Sequence, residues 1–144
     1  MDEILALRKS IQEGRYSDAL HIIDELEEMA KDDKLDKIFS YMQILLIHLI
    51  KQFAENRTTR SWDNSIYHSI SQINRVNKRR KSGGDYMKSE ELFETLHDSF
   101  SLAIRDAAQE AFEGIYTYKE LETKIDKNKI LAKAMQMIEN QEEV

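Results

Sequence analysis

The absence of proline is the feature that most constrains the fold of this chain. Its 144 residues contain no proline and four glycines, and these are the two residue types that most strongly interrupt helices. Apolar residues recur at helical spacing along most of the sequence, and no stretch alternates with period two for long enough to indicate a strand. The sequence therefore predicts an all-α protein, a single compact helical bundle.

The length predicts one domain, since 144 residues suffice for one core and not for two. We expect this domain to span residues 1–138. The last residues, 139–144, are expected to form a frayed acidic tail.

The first half of the chain predicts three helices. A short one ends at Gly14, and a second is capped by Ser17 and stops at the polar break "KDDK", residues 31–34. The third runs from about Leu35 to Phe53 and is apolar around most of its circumference, as a helix surrounded by protein must be. We expect this third helix to be the centre of the bundle.

The second half predicts a fourth helix from about Ser61 to Arg80, stopped by "SGG". A long amphipathic helix follows, capped by Ser89 and ended by Gly114. Two short helices complete the chain. The long helix is expected to bury one face, with the residues Leu92, Phe93, Leu96, Phe100, Ala103, Ala107 and Ala111.

Several classes of protein are excluded by composition. Without cysteine the chain has no disulfide, thiolate metal site or cysteine nucleophile. The N-terminus lacks the pattern of a secretory signal, and the longest apolar run, residues 44–50, is far shorter than the roughly 20 residues that span a membrane. We therefore expect a cytoplasmic protein with no membrane association, no metal and no cofactor.

Positive charge is concentrated in one segment. Residues 48–81 contain eight basic and two acidic side chains, a charge of +6, which leaves −12 for the remainder because the whole chain carries −6. Such a division favours an anionic partner. The alternative is that the basic segment faces acidic helices inside the fold.

The fourth helix has two distinct sides. At about 100° per residue, Trp62, Ile66, Ile70 and Ile73 fall on one side, which we expect to pack inward, with Trp62 as a core anchor. Asn64, His68, Arg75 and Arg79 fall on the other side, with Ser71 and Lys78 close beside them. This side is either a solvated helix face or a phosphate-binding stripe, since arginine binds phosphate in bidentate fashion.

The candidate nucleic-acid contacts all lie in the basic segment, and each side chain is either positively charged or, at Asn64, an amide. Arginines before a helix start add to the anion preference of the helix N-terminus. The predicted set is Arg57, Arg60, Asn64, Arg75, Lys78, Arg79, Arg80 and Lys81.

Candidate catalytic residues are His48, Lys51 and His68. Two imidazoles can act as general base and acid, and a cation can stabilise a charged phosphorus centre, which is what metal-independent RNA cleavage requires. The alternative for His48 is a buried or half-buried histidine that hydrogen-bonds to the next helix.

The stretches "ILLIHLIKQ", "RTTRSWDNSI" and "INRVNKRRKSGG" resemble a bacterial family known as domain-of-unknown-function family twenty-nine, best represented in photosynthetic bacteria. The resemblance covers about Leu5 to Ile138. The family pairs a His-Leu-Leu-Lys element, here residues 48–51, with an Arg-Ser-Trp element, here residues 60–62. It implies a compact helical bundle in which His48 and Lys51 approach Arg60 and Trp62. The chain departs from the family at Gln52, where many members have an aromatic residue, and at "SGGDYMKSEE", where many have proline.

These patterns lead to two functional hypotheses. The first is a nucleic-acid-directed protein, most readily an RNA-binding one, with metal-independent endoribonuclease activity as a candidate. The second is a non-catalytic interaction module, such as an adaptor or the neutralising partner of a basic toxin, whose acidic remainder is the working surface. Self-association is left open by the sequence.

Overall fold

The prediction of an all-α fold is confirmed. The computed structural model describes residues 2–79 and 83–140. Their α-helices are α1 (Asp2–Gln12), α2 (Tyr16–Glu55), α3 (Arg60–Asn77), α4 (Ser89–Glu110), α5 (Tyr118–Glu122) and α6 (Lys127–Asn140), and a turn of 3-10 helix, Ala111–Gly114, follows α4. Within the described residues the extended pairing is a single isolated bridge between Lys78 and Asp85.

Two compact units divide the chain, Met1–Leu35 and Asp36–Val144. The expectation of one domain over residues 1–138 stays a prediction. Of the tail expected at 139–144, Glu139 and Asn140 belong to α6, and residues 141–144 lie outside the described residues.

The predicted break at "KDDK" is wrong, because residues 31–34 are helical and α2 is continuous. Lysine and aspartate are polar but tolerate helix interiors, and this stretch holds no glycine or proline that would stop a helix. The second helix also begins at Tyr16 instead of being capped by Ser17. What the sequence presented as the central third helix is thus the second half of α2.

This second half of α2 supplies much of the core of its unit. Its fully buried side chains are Ile38, Met42, Leu45, Leu46, Leu49 and Ile50. Phe53, at which the predicted third helix ends, is 36% exposed.

The remaining helices follow the sequence with corrected ends. The helix α3 begins at Arg60, close to the expected start near Ser61, and Thr59 caps it by accepting a hydrogen bond from the Trp62 amide at 3.1 Å. The helix α4 begins at Ser89 with Lys88 at the cap position, and it ends at Glu110, before the expected Gly114. Its buried face is as predicted except for Phe93, which is 41% exposed.

Residues 111–114 end α4 abruptly. Phe112 and Glu113 have φ values of 51° and 60°, in the left-handed region that side chains rarely adopt. At Gly114, with φ of +78°, a Cβ atom would lie 2.8 Å from the carbonyl oxygen of Gln109. This turn therefore requires glycine at 114 for both conformation and space.

None of the described helices combines the length and the apolar character needed to cross a membrane.

Candidate functional site

The helix α3 presents one exposed side that we call the α3 outer face. Its members are Arg60, Asn64, Tyr67, His68 and Arg75, all exposed. The opposite side is buried through Ile66, Ser69, Ile70, Ile73 and Asn77. Because the apolar side of an amphipathic helix fixes its rotation, the outer face is held toward solvent, on the side that the sequence predicted for Asn64, His68 and Arg75.

The α3 outer face carries positive charge that its own helix does not neutralise. Asp63 is the only acid in α3, and its Oδ1 accepts hydrogen bonds from Thr58 Oγ1 at 2.7 Å and from Gln52 Nε2 at 3.2 Å. These bonds fix Asp63 to the connection between α2 and α3. The carboxylate is therefore engaged there, and none of the ion pairs found among the described residues involves Arg60 or Arg75.

Tyr67 is a member of this face that the sequence reasoning missed. Its side chain is 62% exposed, and its ring meets that of His68 edge-on, with centroids 6.2 Å apart. The signal was available, because Tyr67 lies seven residues after Arg60 and eight before Arg75, spacings that share one side of a helix. An exposed aromatic ring between cations is a feature of surfaces that bind unpaired bases.

The helix α3 ends at Asn77, and the Lys78 and Arg79 residues that follow are not helical, which corrects the predicted extension of this helix to about Arg80. The buried Asn77 side chain stops the helix: it donates to the Met87 carbonyl at 2.9 Å and accepts from the Met87 amide at 2.8 Å. After Asn77, the Arg79 amide donates a hydrogen bond to the Gly84 carbonyl oxygen at 3.0 Å.

Lys78 and Arg79 are exposed in this loop, so Arg79 is not on the helical stripe where it was expected. The guanidinium of Arg79 lies 5.5 Å from the centroid of the Tyr86 ring. Arg80 and Lys81, also predicted phosphate contacts, lie outside the described residues.

A second group of functional candidates surrounds Lys51, and we call it the Lys51 cluster: His48, Lys51, Arg57, Trp62 and Glu110. Lys51 is only 5% exposed. Its Nζ lies 4.6 Å from the centroid of the Trp62 ring and 3.6 Å from Glu110 Oε1. A buried ammonium is stable only with such compensation. The two family elements thus meet at Lys51 and Trp62, while Arg60 is exposed on the α3 outer face.

Arg57 is committed to the same cluster. Its guanidinium carbon lies 4.7 Å from the Trp62 ring centroid, and its Nε donates to Glu55 Oε1 at 3.1 Å. Glu55 in turn accepts a hydrogen bond from the Phe112 amide at 3.4 Å. Arg57, a predicted phosphate contact, therefore already has a carboxylate partner, and that carboxylate is tied to the strained turn after α4.

His48 lies one turn before Lys51 on α2 and is half-buried. Within the described part of the chain its Nδ1 atom is buried without a hydrogen-bond partner, so the bond to the next helix that the sequence suggested is not made by this atom. Burial lowers the pKa of His48 below its ordinary value of 6.5, the Lys51 ammonium lowers it further, and Glu110 opposes both. The imidazole is therefore neutral at pH 7 and able to accept a proton.

The contact found for the third catalytic candidate, His68, is with a residue outside the Lys51 cluster. Its ring contact is with Tyr67 on the α3 outer face, whereas His48 and Lys51 belong to α2. The structure therefore joins His48 to Lys51 and joins His68 to the outer face.

Glu55 and Glu110 could not have been identified from the sequence. Glu110 comes 59 positions after Lys51, and no local pattern marks it as the partner of a buried lysine. Among residues 2–79 and 83–140, no group of three or more histidine, aspartate or glutamate side chains could hold a metal ion.

A family model described as a domain of unknown function, DUF29, matches residues 4–140 of the chain. Neither the curated proteins nor the solved structures contain a significant match to this chain.

Proposed function

The chain belongs to the DUF29 family, and from this premise we propose that it binds single-stranded RNA through the α3 outer face. The observation that carries the proposal is Tyr67, 62% exposed between Arg60 and Arg75 on one side of a single helix. Stacking of bases on an aromatic ring, combined with cations that follow the backbone, is how proteins bind unpaired nucleic acid.

The dimensions of the face fit a short stretch of RNA. Arg60 and Arg75 are fifteen residues apart, so they are separated by about 22 Å along the helix. The exposed Lys78 and Arg79 extend the positive charge beyond its C-terminal end. Asn64 supplies an amide that can hydrogen-bond a base edge or a 2′-hydroxyl, the group that distinguishes RNA from DNA.

The charge of the whole chain directs RNA to this face. With −12 outside residues 48–81, other surfaces repel a polyanion. Binding should therefore be local and strongly dependent on salt, because most of its affinity comes from released counterions.

Metal-independent cleavage of the bound RNA is a second proposal, favoured by the position of the half-buried His48 one turn before the buried Lys51 on α2. The pKa of His48 is lowered by its burial, so its neutral imidazole can take a proton from a 2′-hydroxyl. Lys51 would supply the positive charge, but its ammonium is already engaged by Glu110 and Trp62. His68 would have to act from the outer face.

Fluorescence anisotropy of a labelled oligouridine, with chelator present, tests the binding proposal over about 50–300 mM salt. Arg60→Gln with Arg75→Gln should weaken binding and reduce the salt slope by about 1.4, since each single-strand phosphate contact contributes about 0.7. Tyr67→Ala should cost about 1–3 kcal/mol, and Tyr67→Phe should cost little. The matched control is Arg8→Gln with Lys119→Gln, which removes the same charge from exposed positions elsewhere.

Equal losses in the control pair, or no binding at low salt, would refute the α3 outer face as an RNA site. A gel of the same RNA tests cleavage. Cleavage that is lost in His48→Ala supports the nuclease, and intact RNA with undiminished binding leaves a binding module. If RNA does not bind at all, the non-catalytic interaction module is the remaining hypothesis.

A further inference from the structure

A groove between α4 and α6 is lined by acidic side chains, whereas the α3 outer face is basic. Its volume is about 450 Å³, within the usual range of ligand pockets. The first turns of α4 and the last turns of α6 form its walls. The lining residues are Ser89, Glu90, Phe93, Glu94, Met135 and Glu139.

Two of the side chains that line the groove, Phe93 and Met135, are apolar. Phe93 is 41% exposed, although its apolar character predicted a core position, and Met135 is partly exposed beside it. Both side chains lie in the groove instead of in the core. Apolar side chains collected in a concave surface gain free energy when an apolar group of a partner covers them.

The carboxylates of Glu90, Glu94 and Glu139 also line the groove, and we call these three side chains the rim. Glu90 and Glu94 are one helical turn apart on α4, a like-charge spacing that destabilises a helix. Within the described residues, no ion pair of Glu90, Glu94 or Glu139 is found, and no cation lines the groove. A cationic occupant would relieve this repulsion.

A favourable interaction with the helix dipole explains some of these glutamates but not all of them. Glu90 lies in the first turn of α4, where an anion interacts favourably with the helix dipole. Glu139 lies in the last turn of α6, where the dipole disfavours an anion, and that turn has no basic residue. The negative charge of Glu139 therefore opposes its own helix.

We propose that this groove binds a basic amphipathic segment of a partner protein, in which an apolar side chain contacts Phe93 and Met135 while lysines or arginines contact the three glutamates. The phenyl face of Phe93 adds a favourable cation–π contact for such a segment. RNA is repelled by the same rim, so the groove and the α3 outer face take different partners. The proposal does not rest on RNA binding.

The test uses the full chain and three labelled synthetic helical peptides. The first carries leucines on one face flanked by lysines, the second has glutamates in place of the lysines, and the third has serines in place of the leucines. Only the first should bind. Glu94→Gln with Glu139→Gln, and separately Phe93→Ser, should weaken its binding by at least about tenfold.

Matched controls separate the groove from general charge and hydrophobicity. Asp106→Asn with Glu122→Gln removes two exposed carboxylates elsewhere, and Leu102→Ser removes an apolar side chain on α4 that is 48% exposed. These variants should bind the first peptide as the parent does. Because Phe93 and the glutamates are exposed, all variants should keep the parent's circular dichroism.

Two results would overturn the proposal. One is peptide binding that the groove variants and their controls reduce equally. The other is self-association of the parent, measured by sedimentation, that Glu94→Gln with Glu139→Gln abolishes, because the groove would then bind a second copy. Oligouridine affinity, measured on the same variants, should be unchanged, so failure here is distinguishable from failure of the RNA proposal.

Discussion

The ammonium nitrogen of Lys51 lies 4.6 Å from the centroid of the Trp62 ring, and this contact joins α2 to the first turn of α3. Glu110, at the end of α4, approaches the same nitrogen to 3.6 Å but keeps 55% of its side chain exposed. Water thus screens one side of the ion pair, while the stem of Lys51 is buried. The stem and the ring, more than the charge, should hold the three helices together.

Substitution of Lys51 separates the stem from the charge. Lys51→Ala should lower the free energy of unfolding by about 2 kcal/mol, since three methylenes are lost at about 0.8 kcal/mol each. Lys51→Met keeps the stem and removes the ammonium, and it should change stability by less than about 1 kcal/mol. Urea unfolding followed by circular dichroism measures both. If methionine were as destabilising as alanine, the charge itself would be the stabilising element.

Protonation of His48 should destabilise the fold. Its folded pKa lies below the ordinary value of 6.5, so above that pH the imidazole is neutral in both states and has no effect. As the pH falls below 6.5, the unfolded chain takes up the proton first, and stability falls until the pH is below the folded pKa. Urea midpoints measured across this range should show the loss in the parent and a smaller one in His48→Gln. His97→Gln, at an exposed position on α4, is the control and should behave as the parent.

Gly114→Ala tests the turn that ends α4. The substitution meets both an unfavourable φ of +78° and a Cβ approach of 2.8 Å to a backbone oxygen. Gly84→Ala meets only a φ of +73°, with nothing within 4 Å, and should cost about 1–2 kcal/mol. The cost at Gly114 should be clearly larger in thermal or urea unfolding. Equal costs would mean that the turn relaxes to admit a side chain.

Asn77→Ala should affect RNA binding without removing a charge. The substitution leaves the buried amide and carbonyl of Met87 without their partners, at about 1–3 kcal/mol for each unsatisfied group. Lys78 and Arg79 follow directly, so their loop loses its fixed position and oligouridine affinity should fall. Asn128→Ala, at an exposed position in α6, is the control. Lower stability with unchanged RNA affinity would exclude this loop from the RNA site.

Amide hydrogen exchange should be faster in the first half of α2 than in the second, although the helix is continuous. Of residues 2–35, only Ser10 and Ala19 are buried, whereas Ile38, Met42, Leu45 and Leu49 are fully buried. Protection follows burial of this kind, since isolated helices are marginally stable. Amides of residues 18–30 should exchange faster than those of residues 40–50. Uniform protection along α2 would show that the helix opens as one unit.

The sequence by itself determined the helices and most of their faces. Without proline, and with Ile66, Ile70 and Ile73 at helical spacing, α3 could only place Asn64, His68 and Arg75 on the opposite side. Such patterns are local, because a helix repeats every 3.6 residues whatever it packs against. The break predicted at residues 31–34 was wrong, because polar residues alone do not end a helix.

Tertiary structure decided which polar groups meet. The sequence marks Lys51 and Trp62 as neighbours only through the family resemblance, and nothing in it links Lys51 to Glu110, or Arg57 through Glu55 to the Phe112 amide. Nor does the apolar character of Phe93 indicate that it faces a groove with Met135. These relations depend on how helices distant in the chain pack, and burial of that kind also sets the pKa of His48. Periodicity fixes the face of each helix, whereas only packing fixes its neighbour.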